Sequence, residues 1–174
     1  FFLVISSYFF NEYFHYFIAI ENFQDAFTWI LAPTLLLVIG LVDDKFVLGP
    51  VSKLLLISTI YFIVLLIDKE MVIKDITLFY LNIHFSTGSF SYIFSFFALL
   101  VFSNAFNMLD GMDLNVGIYT ILVLFLFIIR IDLNLIFLLL ITSIIIFMYF
   151  NYKKKLFLGD SGTLFLSFIL SAMF

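Results

Sequence analysis

The sequence predicts an all-α fold, a polytopic transmembrane helix bundle of six spans plus a truncated seventh, with room for a short external β-hairpin. Three observations carry that expectation. Hydrophobic residues fill 65% of the 174 positions and charged residues only 11%, against about 45–50% and about 25% in an ordinary soluble domain. One core of this size cannot absorb 27 phenylalanines together with long Leu/Ile/Val runs, so a bilayer must act as the second apolar phase. The apolar residues also come in runs close to the ~20 positions that a helix needs to cross hydrocarbon.

The runs occupy 1–20, 26–42, 51–67, 90–106, 117–130 and 133–150, and a last one opens at 164. The first contains Asn11, Glu12 and His15, to which no role is assigned. Between the third and fourth lies DKEMVIKDITLFYLNIHFSTGS, and alternation around ITLFYLNIHF suggests two short strands, with His84 a surface residue. The fifth and sixth runs are separated only by RIDLN, where Arg130 and Asp132 interrupt the apolar stretch, which predicts a helical hairpin. No internal repeat and no Gly/Ser- or Pro-rich linker divides the chain, so 1–174 reads as a single transmembrane domain. It opens on FFLVISS without a Met or a basic leader and stops inside LSAMF, so both ends read as cut.

A formal charge of −4 and a pI near 4.8 argue against nucleic acid as a partner, since a phosphate backbone calls for a basic face. The absence of Cys excludes disulfides and thiolate metal sites. Any metal must then sit on oxygen or imidazole, and carboxylates favour Mg²⁺, with Mn²⁺ or Ca²⁺ as alternatives.

Alternate crossings put the connections at 43–53, around 104–113 and at 151–162 on one side. That side carries Lys45, Lys53, Lys153, Lys154 and Lys155, and the other carries Lys69, Lys74 and Arg130, a bias that favours the first as cytoplasmic. Asp43, Asp44, Asp110, Asp113 and Asp160 all fall there.

Three stretches on this side concentrate polar chemistry. LVDDK ends a span with Asp43 and Asp44, which oppose the helix macrodipole at a cost of roughly a few tenths of a kcal/mol. A cation would offset that, with Lys45 or a divalent metal the obvious candidates; a solvated helix end is the plainer alternative. In NAFNMLDGMD, steps of three residues slip about 60° around a helix, so Asn104, Asn107 and Asp110 share one stripe, and Gly111 loosens the helix before Asp113. Amides and carboxylates suit the edge of a nucleobase and a ribose. Hydrogen bonding between helices would explain the Asn pair but not the Asp pair.

LGDSGT brackets Asp160 with two glycines. It reads equally as a phosphate-approaching turn or as a simple turn whose Ser161 or Thr163 caps the next helix. Lys153 to Lys155 serve as a positive-inside anchor and can also attract anionic lipid or polyphosphate.

Taken in order, LVDDKFVLGPVSKLLL, NAFNMLDGMD and KLFLGDSGTLFLSF resemble the polyprenyl-phosphate N-acetylhexosamine-1-phosphate transferase superfamily, glycosyltransferase family 4. NAFNMLDG is more similar to the undecaprenyl-phosphate GlcNAc-1-phosphate transferase branch than to the phospho-MurNAc-pentapeptide transferases. The resemblance implies a Mg²⁺-assisted attack of a polyprenyl phosphate lipid on a UDP-N-acetylhexosamine at a bacterial inner-membrane site facing the cytoplasm, feeding cell-wall or lipopolysaccharide biosynthesis. It implies catalytic roles for Asp43, Asp44 and Asp160, with Asp160 and Asp44 on the metal. It further implies substrate binding by Asn104, Asn107, Asp110, Asp113, Lys45, Lys53 and Phe157, and it leaves room for a homodimer.

Two departures stand out. Leu114 occupies a position where the family usually has Gly, and the Gln that often follows the lysine of the first motif is replaced near Ile57 and Ser58. The family's early glycine-containing loop and late His-rich loop would both lie outside 1–174. The rival readings are a transporter or channel subunit, which would carry its acids near the membrane midplane, and a non-catalytic relic of such a transferase.

Overall fold

The computed structural model describes residues 23–78, 83–111, 114–130 and 135–173. The first expected span, with Asn11, Glu12 and His15, lies outside the described residues, and so does Asp113. Helix α1 runs Phe23–Phe46 and contains a wide π turn at Phe27–Leu31. Pro33 explains the widening, because it lacks the amide that the Trp29 carbonyl would otherwise accept from. Val47, in the left-handed region at φ 53°, ends the helix, and Gly49 and Pro50 open α2, Pro50–Ile67. Pro fits there because the first helical amide has no partner in any case.

The expected hairpin is present: β1, Asp75–Leu78, pairs antiparallel with β2, Ile83–Ser86, in the register Asp75↔Ser86 to Leu78↔Ile83. A 3₁₀ turn at Gly88–Phe90 leads into α3, Ser91–Leu109. Helices α4, Asn115–Arg130, and α5, Leu135–Tyr152, pack against each other as the expected helical pair. The last helix, α6, spans Gly159–Ala172. It therefore starts five residues before the expected 164, and the GDSG segment is its first turn rather than a turn ahead of it.

Among the described residues, three helices are long and apolar enough to cross a membrane: Phe23–Phe46, Pro50–Ile67 and Gly88–Leu109. Asn115–Phe127 and Leu138–Tyr152 are shorter apolar helices. The organising element is α6, which packs chiefly on α1 and α3. Its Leu164 and Phe168 join a core with Leu36, Ile57, Tyr61, Val64 and Leu99, while Leu166 and Leu170 join a second with Phe106, Val116, Leu124 and Ile144.

Close approach is what lets α6 sit between its neighbours. A Cβ on Gly40 of α1 would lie 2.2 Å from the Ser161 Cα, so only glycine fits where these two backbones touch. Deeper in, Ser167 of α6 bonds Ser103 of α3 at 3.1 Å, and Ser103 also bonds the Tyr61 hydroxyl of α2. Small and hydroxyl side chains are how helices approach one another where lipid removes any hydrophobic drive to associate.

Candidate active site

Helix direction sets the site's position. The end of α1, the start of α2, the end of α3, the start of α4, the end of α5 and the start of α6 all lie at one end of the bundle. Hydrogen bonds between distant segments tie these ends together.

Asp43 is 7% exposed in the last turn of α1. Its Oδ1 accepts the Leu48 amide at 2.6 Å, closing the turn into α2, and its Oδ2 lies 2.9 Å from Lys53 Nζ. The same ammonium lies 2.7 Å from Asp160 Oδ1. One lysine thus bridges carboxylates that are 117 residues apart in sequence (160 − 43). The cation that offsets the acidic helix end is therefore Lys53, not Lys45. Lys45 is exposed, with its ammonium 5.3 Å from the Phe46 ring centroid.

Asp44 turns toward α6. Its Oδ1 accepts the Asp160 amide at 2.9 Å and its Oδ2 the Ser161 amide at 3.2 Å, while Asp110 Oδ2 accepts the Gly159 amide at 3.0 Å. Two acids from other helices therefore satisfy the unpaired donors at the α6 N-terminus and place negative charge at its positive end. No side-chain cap comes from α6 itself. Of the two alternatives for this segment, the cap by Ser161 or Thr163 is not formed, and the amides of Gly159, Asp160 and Ser161 bond Asp110 and Asp44. Gly159 is required here, since it sits at φ +67° and a Cβ would come 2.9 Å from Asp44 Oδ2.

The Thr163 hydroxyl lies 2.8 Å from Asn107 Oδ1. Donation there leaves the Asn107 amide nitrogen free to donate elsewhere. Asn104, one turn earlier on α3, is exposed and stands outside the hydrogen-bonded cluster of described residues. Phe157 is exposed in the segment before α6. Asp110 lies at the surface end of α3, and its carboxyl is held above the usual carboxylate range by burial and by the negative charges of Asp160 and Asp44. The amides of Gly159 and Leu158 pull the other way.

Two contacts here had no counterpart in the sequence reading. The sequence suggests Thr163 only as a cap. Asn151, just before the basic run Lys153 to Lys155, is 4% exposed and bonds the backbone on both sides of the site. A buried-capable amide ending the most apolar helix was the available signal. Leu114 has φ +67°, so the family's usual Gly is explained by a left-handed position that this chain fills with Leu.

Among the described residues, no three His, Asp or Glu side chains gather as a group able to hold a metal ion. Two carboxylates do: Asp43 and Asp160 already share one cation, the Lys53 ammonium. Mg²⁺ is commonly held by one or two carboxylates plus substrate phosphates, so this pair fits such an ion better than a closed protein cage would. Asp44, expected beside Asp160 on the metal, directs its two oxygens at the Asp160 and Ser161 amides. A cavity of about 880 Å³ opens elsewhere, among Trp29, Asp68, Lys74, Ser95 and Met173, and none of the cluster's residues lines it.

Comparison with known proteins adds sequence support. Residues 26–174 match the profile described as Glycosyl transferase family 4. The chain is 27% identical over 146 residues to a probable undecaprenyl-phosphate N-acetylglucosaminyl 1-phosphate transferase of Bacillus subtilis, covering 80% of this chain and 40% of that protein. It is 36% identical over 93 residues to the phospho-N-acetylmuramoyl-pentapeptide-transferase of Streptococcus pneumoniae serotype 2, covering 49% of this chain and 28% of that protein. The chain thus spans less than half the length of these relatives. No solved structure matches. With most of its length inside the matched region and the three motifs at one end of the bundle, the chain belongs to glycosyl transferase family 4.

Proposed function

We propose that the protein transfers N-acetylhexosamine-1-phosphate, in the first instance GlcNAc-1-phosphate, from a UDP-sugar to undecaprenyl phosphate at the cytoplasmic face of a bacterial membrane. One observation carries this reading most directly: Lys53 joins Asp43 to Asp160 at a bundle end that also holds Asp110 and Asn107. Similarity to an undecaprenyl-phosphate N-acetylglucosaminyl 1-phosphate transferase over 80% of the chain supports the choice of sugar and lipid.

In the reaction a terminal oxygen of the lipid phosphate attacks the β-phosphorus of the UDP-sugar. The bond from that phosphorus to the bridging oxygen breaks, UMP leaves with the oxygen, and polyprenyl-diphospho-sugar forms. The second pKa of a phosphate monoester is about 6, so the nucleophile is ionised at neutral pH and a strong base is dispensable. Repulsion between two anions is the larger obstacle. Lys53 lies between the acids, where its ammonium can turn toward a diphosphate, and exposed Lys45 is free to do the same. Asn107, with its carbonyl fixed by Thr163, offers its amide hydrogens to a base or ribose. Asp160 and Asp43 would hold a Mg²⁺ ion, which when bound supplies charge neutralisation on the phosphates. Placing these groups at a membrane edge lets the lipid stay in the bilayer while the nucleotide stays in water.

The test is UMP release by the natural protein in detergent with Mg²⁺, UDP-GlcNAc and undecaprenyl phosphate. Asp160→Asn should lower it by about a hundred- to a thousandfold, the scale on which single electrostatic groups act. Turnover that needs no divalent metal, or none with any UDP-sugar, would reject the assignment.

A further inference from the structure

We infer that Asn151 is a positioning residue that clamps the two connections flanking the site into one register. Its amide is used at both ends, and each end holds the backbone of a different connection. Oδ1 accepts the Leu114 amide at 2.8 Å, and Nδ2 donates to the Leu156 carbonyl at 3.0 Å. Only a carboxamide offers an acceptor and a donor in one planar group of this size; Asp lacks the donor and Leu lacks both. The side chain is almost fully buried, so its own amide oxygen and nitrogen depend on these two backbone partners rather than on water.

Both connections need such a hold. Leu114 is left-handed at φ +67°, and Lys154 is left-handed at φ 53°, a region that side-chain-bearing residues rarely occupy unless the surroundings fix them there. Leu114 also begins α4, its carbonyl accepting the Ile118 amide at 2.9 Å. Four residues before Leu114 lies Asp110, and three residues after Leu156 lies Gly159, which bond each other at 3.0 Å. The same two connections are therefore cross-linked twice, once by Asp110 with Gly159 and once through Asn151. Losing the second link frees the segments that carry Phe157 and Asp110 without touching any group in direct reach of a substrate.

This role rests on the reading that these connections hold the nucleotide sugar. The experiment uses the natural protein in detergent and compares Asn151→Leu and Asn151→Asp with the parent in two readouts. Hydrogen exchange without substrate should quicken tenfold or more at residues 114–118 and 154–160 in N151L, and chiefly at 154–160 in N151D, which keeps the acceptor for Leu114. Steady-state kinetics should show the KM for UDP-GlcNAc rising about tenfold in N151L with kcat changed less than threefold. If N151L fails to fold, N151D alone decides the matter, because its exchange must rise on one side only. Unchanged exchange in a folded variant overturns the clamp. Faster exchange with KM unmoved overturns the positioning role. A parent without UMP release removes the functional reading while the exchange result still decides the clamp.

Discussion

Helices α5 and α6 adjoin in sequence and teach opposite lessons. Helix α5, LIFLLLITSIIIFMYFNY, is almost wholly apolar, yet Leu138, Leu139, Ile145, Ile146, Tyr149 and Phe150 are all exposed. Helix α6, GDSGTLFLSFILSA, carries an acid, two glycines and four hydroxyl residues, yet Thr163, Leu164, Leu166, Ser167, Phe168 and Leu170 are buried. In water the order would be reversed. In a bilayer, apolarity reports contact with lipid, while small and polar residues report contact with protein.

The sharpest way to break this contrast is to alter volume on each helix's contact face. Gly40→Ala, which forces a Cβ into the α6 backbone, should destabilise the protein by about 3 kcal/mol or more, at the upper end of overpacking costs. Ile145→Ala on the exposed face of α5 removes far more volume and should cost less than about 0.5 kcal/mol, because lipid or detergent fills the space. Unfolding midpoints in mixed micelles check both. Similar losses would show that α5 is buried against protein rather than lipid.

A smaller effect tests the polar seam itself. Ser167→Ala changes the volume little and removes the hydroxyl that reaches Ser103 at 3.1 Å, so it should cost about 0.6 kcal/mol, rising to about 1.7 kcal/mol if the Ser103–Tyr61 pair is disturbed with it. The same unfolding measurement reads it, and a gain in stability would argue that the seam contributes specificity rather than energy.

The smallest effect is electrostatic. A folded-state carboxyl raised above its ordinary value of 3.8 favours the neutral form. Its contribution to stability is fully present below that value and is lost as pH climbs through the raised one. Relative to Asp110→Asn, which does not titrate, the parent should therefore lose thermal stability as pH rises above about 4. A flat difference between the two across pH would show that the Gly159 and Leu158 amides compensate fully for burial.

The contrast between α5 and α6 also explains what could be read from the sequence. Lipid-facing runs such as 51–67 announce themselves because every face must be apolar, and the hairpin at 75–86 announces itself by alternation. The acids were legible because ionisable groups at a membrane helix end are costly enough to need a reason. What escaped was anything settled by partners distant in sequence. Gly159 to Gly162 have the composition of a turn, and only Asp44 and Asp110, supplied from α1 and α3, allow a helix to begin there. Lys45 stood nearer in sequence to the acidic pair, but the Val47 to Gly49 turn carries Lys53 back to Asp43 instead. Asn151 was hidden because a lone amide beside three lysines reads as a solvated helix end.

The glycine at position 40 has a consequence for anyone mapping the molecule by saturating substitution. It meets no reactant, yet almost any replacement should silence the protein as thoroughly as loss of Asp160 would. A screen scored on growth alone would colour both positions alike and enlarge the apparent chemical centre. Scoring abundance in parallel would separate them, with Gly40 variants vanishing from the membrane and Asp160 variants persisting there, inert.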